Sequence, residues 1–192
     1  SLDCVIRFKL PHVRPYLDQL KGLLMKGTLR ETLTKMNLSR NDGDIDVQHR
    51  EQLFPIIIRI LFGRLSARGS GNKSSKDSPA VRRAAILSFL SGLDQSEGEF
   101  DYFIYTMVRP FVPSTVDMDL SDIGHGNKSH IKSMIKEVYT MASMKEVSTI
   151  PSQRQEGLLN LLSEVIKKFG FKVLEFVPTF MRLILIVLEH AE

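Results

Sequence analysis

Between Arg64 and Arg83 the sequence sets six cations, Arg64, Arg68, Lys73, Lys76, Arg82 and Arg83, against one anion, Asp77. Such a cluster can contact phosphate oxygens, because guanidinium and ammonium groups displace the counterions of a polyanion without reading its sequence. The segment carries +5 of a chain total of +4, so everything outside it sums to −1. No aromatic residue lies among these cations, and base stacking is not indicated. All six are candidate RNA phosphate contacts; the plainer reading is a solvated surface insertion.

Other residue groups suggest chemistry but lack its full pattern. Gly69-Ser70-Gly71-Asn72-Lys73-Ser74 and Gly124-His125-Gly126-Asn127-Lys128-Ser129 resemble phosphate-binding loops. Each inserts Asn between Gly and Lys, and no apolar strand precedes either. Asp122, His125 and His130 have no second ligand cluster to complete a metal site. His12, His49 and His190 read as separate helix-end or surface residues, Cys4 as an inert thiol, and no serine stands in a G-x-S-x-G context. Asn37, Asn72 and Asn127 head sequons that mean little without a secretory leader. Met134, Met141 and Met144 are spaced for one helix face, as core or helix-packing residues. No catalytic residue, cofactor site or metal ligand is assigned, and the chain is expected not to be an enzyme.

These side chains must be positioned by helices. Apolar residues recur at helical spacing and strand-type alternation is missing, so the chain is expected to be all-α, with about eight helices. The first runs from about His12 to Met25, with Leu17, Leu20 and Leu24 on one face; the second starts at Thr28, where Thr28 and Glu31 have capping-box spacing. Asn41 to Asp44 form a turn. The third, about Val47 to Leu65, is strongly apolar and carries Pro55, which predicts a kink. Ser78 and Pro79 open the fourth, and Asp94 and Glu97 repeat the capping-box spacing before the fifth, Glu99 to Arg109. The sixth spans about Lys128 to Lys145, the seventh Pro151 to Phe169, ending at Gly170, and the last Phe171 to Glu189 with Pro178 inside it.

With 192 residues and 43% hydrophobic content the chain can bury a substantial core, and its one cysteine excludes a cystine framework and fits a reducing compartment. It starts at Ser1 with no basic-then-apolar leader, and reads as an excerpt of a longer protein. The apolar stretch Phe176 to Leu188 contains Pro178 and Arg182 and is too short for a membrane span. Ser66 to Ser78, rich in Ser, Gly and Lys and without a large apolar side chain, reads as a flexible basic loop. The whole chain, residues 1–192 with this loop at 66–78, reads as a single segment of a larger α-solenoid of HEAT/armadillo-like hairpins. Phe54 to Leu61 matches Val177 to Ile184 in its Pro and Arg spacing, and Pro55 and Pro178 are 123 residues apart. That is close to three periods of about 40–47 residues.

One ordered set of motifs carries a family resemblance. His49 to Arg64 holds a Pro-to-Arg helix ending Phe62-Gly63-Arg64, a Lys/Ser-rich insertion follows, and Arg83-Ala84-Ala85-Ile86-Leu87-Ser88-Phe89-Leu90-Ser91-Gly92 comes next. In this order they resemble the Down-Regulated-In-Metastasis family, very large HEAT-repeat proteins of the small-subunit processome associated with a box C/D small nucleolar RNA. The resemblance is clearest from about Val47 to Pro113 and weaker from Gln153 to Leu188. It implies a non-enzymatic scaffold in pre-rRNA processing in the nucleolus. The implied partners are pre-ribosomal RNA, small nucleolar ribonucleoprotein and other processome assembly proteins, with no membrane and no small-molecule substrate. Another α-solenoid adaptor, such as a nuclear-transport receptor binding protein cargo, would share the fold; an enzyme with an unrecognised site is the third reading.

Overall fold

Asp46 stands in extended backbone and accepts a hydrogen bond from the Gln48 amide at 2.9 Å, which opens a 20-residue helix. Local signals of this kind set most of the fold. The computed structural model describes residues 10–25, 27–39, 42–67, 78–93, 98–111 and 128–191. Among them there is no strand. The α-helices are α1 (Leu17–Leu24), α2 (Leu29–Lys35), α3 (Val47–Ser66), α4 (Pro79–Leu90), α5 (Glu99–Val108), α6 (Lys128–Met141), α7 (Met144–Ser148), α8 (Ser152–Phe169) and α9 (Val177–Ala191). Short 3₁₀ segments lie at Arg14–Tyr16, Arg109–Phe111 and Gly170–Phe176. The chain divides into two units, Ser1–Leu93 and Asp94–Glu192.

In the first unit α1 packs on α2 and on α3, and α4 packs on α2 and on α3. Two hairpins, α1–α2 and α3–α4, are thus stacked first helix on first and second on second. Pro15 lies in the 3₁₀ turn that leads into α1. The buried face is Val13, Tyr16, Leu20 and Leu23, whereas Leu24, expected inside, is exposed. The crossing with α2 is close: a Cβ on Gly22 would lie 2.3 Å from Thr32 Oγ1. Glycine is what lets the two helices approach.

The expected capping box at Thr28 does not form. Thr28 has helical backbone angles, φ −98° and ψ −16°, and its hydroxyl donates back to the Gly22 carbonyl at 2.9 Å. Glu31 instead pairs with Lys35 at 2.7 Å. Ser78 does cap α4, accepting from the Val81 amide at 3.3 Å, and Pro79 follows it in the first turn. In α3 the side chains of Leu53, Phe54, Ile57, Ile58, Leu61 and Leu65 are buried, each worth about 1.5–3 kcal/mol relative to exposure. Pro55 is also buried, within the helix, and cannot supply an N–H to the Glu51 carbonyl four residues back.

In the second unit α5 is buried on nearly every side and packs on α6, while α9 packs on α6, α7 and α8. Phe100 sits among Phe103, Phe169 and Phe176, with ring centroids 6.4, 5.1 and 6.3 Å away. Three expectations shift here. The helix foreseen over Lys128–Lys145 breaks at Ala142 and Ser143, with Ser143 extended (φ −136°, ψ 165°), so α6 and α7 are separate. The methionine stripe breaks with it: Met134 is buried and Met141 is exposed. The last helix starts at Val177 rather than Phe171, so Pro178 occupies its first turn, where no intrahelical N–H is needed. Pro55 and Pro178 therefore occupy different helical positions, and their sequence match is not a match of local structure. α8 ends at Gly170 as expected.

Candidate nucleic-acid interface

The basic segment joins the C-terminus of α3 to the N-terminus of α4. Arg68, Lys73 and Lys76, and all but the ends of the loop expected over 66–78, lie outside the described residues. Arg64, Arg82 and Arg83 lie within them, each half-buried. A cation in the first turn of a helix opposes that helix's dipole, and the first turn of α4 holds no acid to offset it. Both arginines turn instead to the end of α3, where the last carbonyls have no intrahelical donor. Arg82 donates from Nε to the Arg64 carbonyl at 3.0 Å and from Nη2 to the Ala67 carbonyl at 2.6 Å. Arg83 donates from Nε to the Leu65 carbonyl at 3.3 Å.

Two of the candidate phosphate contacts therefore serve as a clamp on the helix that precedes them. Their charge is set against the negative end of the α3 dipole, which weakens the field that they offer to an outside anion. Among the described residues the buried Arg64 Nε has no hydrogen-bond partner.

A second arginine device, missed in the sequence, lies earlier in α3. Arg50, only 7% exposed, donates from Nη2 to the Leu38 carbonyl and from Nη1 to the Ser39 carbonyl at 3.5 Å. Its guanidinium lies 5.9 Å from the Phe54 ring centroid. The loop that it holds is pinned on itself: the Asn37 amide donates to Asp44 Oδ2 at 2.7 Å, and the Asp44 amide to the Asn37 carbonyl at 2.9 Å. A Cβ on Gly43 would lie 2.0 Å from the Ser39 carbonyl oxygen, so this turn admits glycine alone. Arg50 acts as a strut, with its charge directed inward.

The histidines expected as singletons are in part brought together. Tyr16 accepts a hydrogen bond from the Asp46 amide at 3.0 Å and lies 3.2 Å from His49 Nδ1, ring edge to ring face. Which of the Tyr16 hydroxyl and His49 Nδ1 donates is set by the imidazole tautomer. His12 is held below the ordinary histidine range by burial first and by the charge of His49 second. Thirty-three residues separate Tyr16 from His49, and no spacing rule could join them.

Among the described residues, no three His, Cys, Asp or Glu side chains gather as a metal site, and no helix is long and apolar enough to cross a membrane. Asp122 and His125, and the Gly124–Asn127 part of the second loop-like motif, lie outside the described residues, as do Gly69–Ser74.

Comparison with known proteins supplies what geometry does not. The chain is 23% identical over 188 residues to U3 small nucleolar RNA-associated protein 20 of Schizosaccharomyces pombe, covering 96% of this chain and 7% of that protein. It is 27% identical over 110 residues to the Saccharomyces cerevisiae protein of the same description, covering 54% of this chain and 4% of that protein. It thus spans less than a tenth of the length of either relative. No solved structure matches it. A family model described as U3 small nucleolar RNA-associated protein 20, N-terminal, matches residues 1–192, and the chain belongs to that family.

Proposed function

We propose that this chain is a segment of a non-enzymatic α-solenoid scaffold of the small-subunit processome, supporting pre-rRNA processing and small-subunit biogenesis in the nucleolus. The family match over residues 1–192 carries this reading. Its partners are pre-ribosomal RNA, a U3-type small nucleolar ribonucleoprotein and other assembly proteins. Within the family we assign it to the Down-Regulated-In-Metastasis proteins, on the order of the Pro55-to-Arg64 helix, the basic stretch and the Arg83–Gly92 helix. The stacking of α1 on α3 and of α2 on α4 supports the HEAT/armadillo-like part, because solenoids grow by setting each hairpin on the last. Arg64, Arg68, Lys73 and Lys76 are the proposed phosphate contacts. Arg82 and Arg83 clamp the end of α3 and add background charge.

Protein-to-RNA crosslinking on the full-length protein, with co-purification from cells, tests the reading. Recovery with nucleolar pre-ribosomes and adducts within residues 64–83 is the expected result. Recovery with transport cargo and pore components would instead identify a nuclear-transport adaptor.

A further inference from the structure

The end of α8 carries a second concentration of positive charge, in Lys167-Lys168-Phe169-Gly170-Phe171-Lys172. It adds +3 with no acid among these six residues, so that with the Arg64–Arg83 segment it holds +8 and everything else sums to −4. Lys167 and Lys168 occupy the last turn of α8, and Lys172 the 3₁₀ segment that follows. In the plainest reading the two lysines offset the negative end of the helix dipole, which is equivalent to about half a charge. Glu164, one turn before Lys168, offsets one charge more. A surplus of about +1.5 remains. Glu175, the next acid downstream, does not reduce it, because it is paired with Lys132 of α6.

An aromatic ring stands within this surplus, as none does between Arg64 and Arg83. A residue just beyond a terminal glycine commonly packs back on its helix, but Phe171 is 77% exposed. Gly170 has φ 53° and ψ −122°, a backbone that favours glycine, and across it the chain passes from buried Phe169 to exposed Phe171. Val173 and Phe176 are buried beyond it, so the exposed ring sits on a backbone anchored on both sides. Leu174, 66% exposed and three residues on, lies on the same side of the 3₁₀ turn and widens the apolar floor. Cations beside a fixed, exposed ring suit single-stranded RNA, whose phosphates meet the lysines while an unpaired base stacks on the ring. A duplex keeps its bases stacked inside and leaves the ring unused. An acidic peptide would engage the cations alone.

We propose that Phe171 is a stacking platform for one unpaired base of RNA, with Lys167, Lys168 and Lys172 on the flanking phosphates. The site deepens the processome reading, on which the choice of RNA rests. The test uses the full-length protein and a short single-stranded oligouridine carrying thiouridine, irradiated and mapped by mass spectrometry. Expected is an adduct on Phe171 that is at least about fivefold weaker in Phe171→Leu and kept in Phe171→Trp. It should also fall in the Lys167→Gln, Lys168→Gln, Lys172→Gln variant. Because the ring is exposed, hydrogen exchange of α8 in Phe171→Leu should stay as in the wild type; faster exchange would make the ring structural and overturn the proposal. An equal adduct from a duplex, or equal competition by polyglutamate, would also overturn it. Recovery of the protein with pre-ribosomes is read in parallel. Recovery without an adduct on Phe171 removes this site and leaves the processome role; the adduct without recovery does the reverse.

Discussion

Arg82 Nε lies 3.0 Å from the main-chain oxygen of Arg64 and donates to it, so the first turn of α4 closes the last turn of α3. With Nη2 on the Ala67 carbonyl, one guanidinium holds both sides of the residue where α3 ends. Removal of Arg82 leaves half-buried carbonyls without a charged donor, so Arg82→Ala should destabilise the α3–α4 junction by about 1–3 kcal/mol. Hydrogen exchange in the full-length protein should show faster opening across Leu61–Leu65, while the salt dependence of RNA binding changes little.

The opposite behaviour is expected from Arg68, Lys73 and Lys76. If these side chains neutralise phosphates, changing all three to Ala weakens RNA binding and lowers the salt slope by about 0.7 for each single-strand phosphate that is no longer neutralised. Exchange at the α3–α4 junction should remain as in the wild type. Measuring affinity at several salt concentrations separates phosphate binding from a spacer, for which affinity and slope both stay put.

Gly22 tests the packing of α1 on α2. Alanine would add helix propensity worth about 1 kcal/mol, but its Cβ would press on Thr32 Oγ1 at 2.3 Å. Gly22→Ala should therefore destabilise by about 1–3 kcal/mol. In a Thr32→Ala background the obstructing hydroxyl and methyl are gone, and the same substitution should become neutral or stabilising by up to about 1 kcal/mol. Denaturant midpoints of the four variants give the coupling directly.

Much of the helical order was legible in the sequence because its causes are local. Ser78 and Pro79 start α4, apolar spacing marks α3, and Gly170 ends α8. The failures have a common cause. Thr28 and Glu31 have the right spacing for a capping box, but the close approach of α1 and α2 gives Thr28 a nearer acceptor in the Gly22 carbonyl. Leu24 has the right spacing for the core, but the side of α1 that is buried is the one that continues Val13 and Tyr16 through Leu20 and Leu23. At the candidate site the sequence showed where charge accumulates and not what each charge touches. The roles of Arg82 and Arg83 depend on α4 folding back against the end of α3, 15 to 18 residues away.

The aromatic cluster of the second unit gives a large effect by a different route. Phe100 is fully buried and meets Phe169 edge to face at 5.1 Å. Phe100→Ala removes that ring pair and leaves a cavity among Phe103, Phe169 and Phe176, at a cost of about 3–5 kcal/mol. Phe100→Leu keeps most of the volume and should cost less than half as much. Hydrogen exchange of α5 and α8 should report the loss, with α1 to α4 changing little.

The last prediction concerns acid. His12 is held below the ordinary histidine range in the folded state, so the folded chain binds fewer protons there than the unfolded chain. Its contribution to stability is complete above a pH of about 6.5 and is lost as pH falls from there through the lowered folded value, with no further loss below it. Burial is the larger cause and the charge of His49 the smaller. His49→Gln should therefore raise the His12 midpoint only part of the way to its unfolded value. Ring-proton titration of His12 by NMR checks this: if His12 moves fully to its unfolded value in His49→Gln, charge rather than burial is dominant.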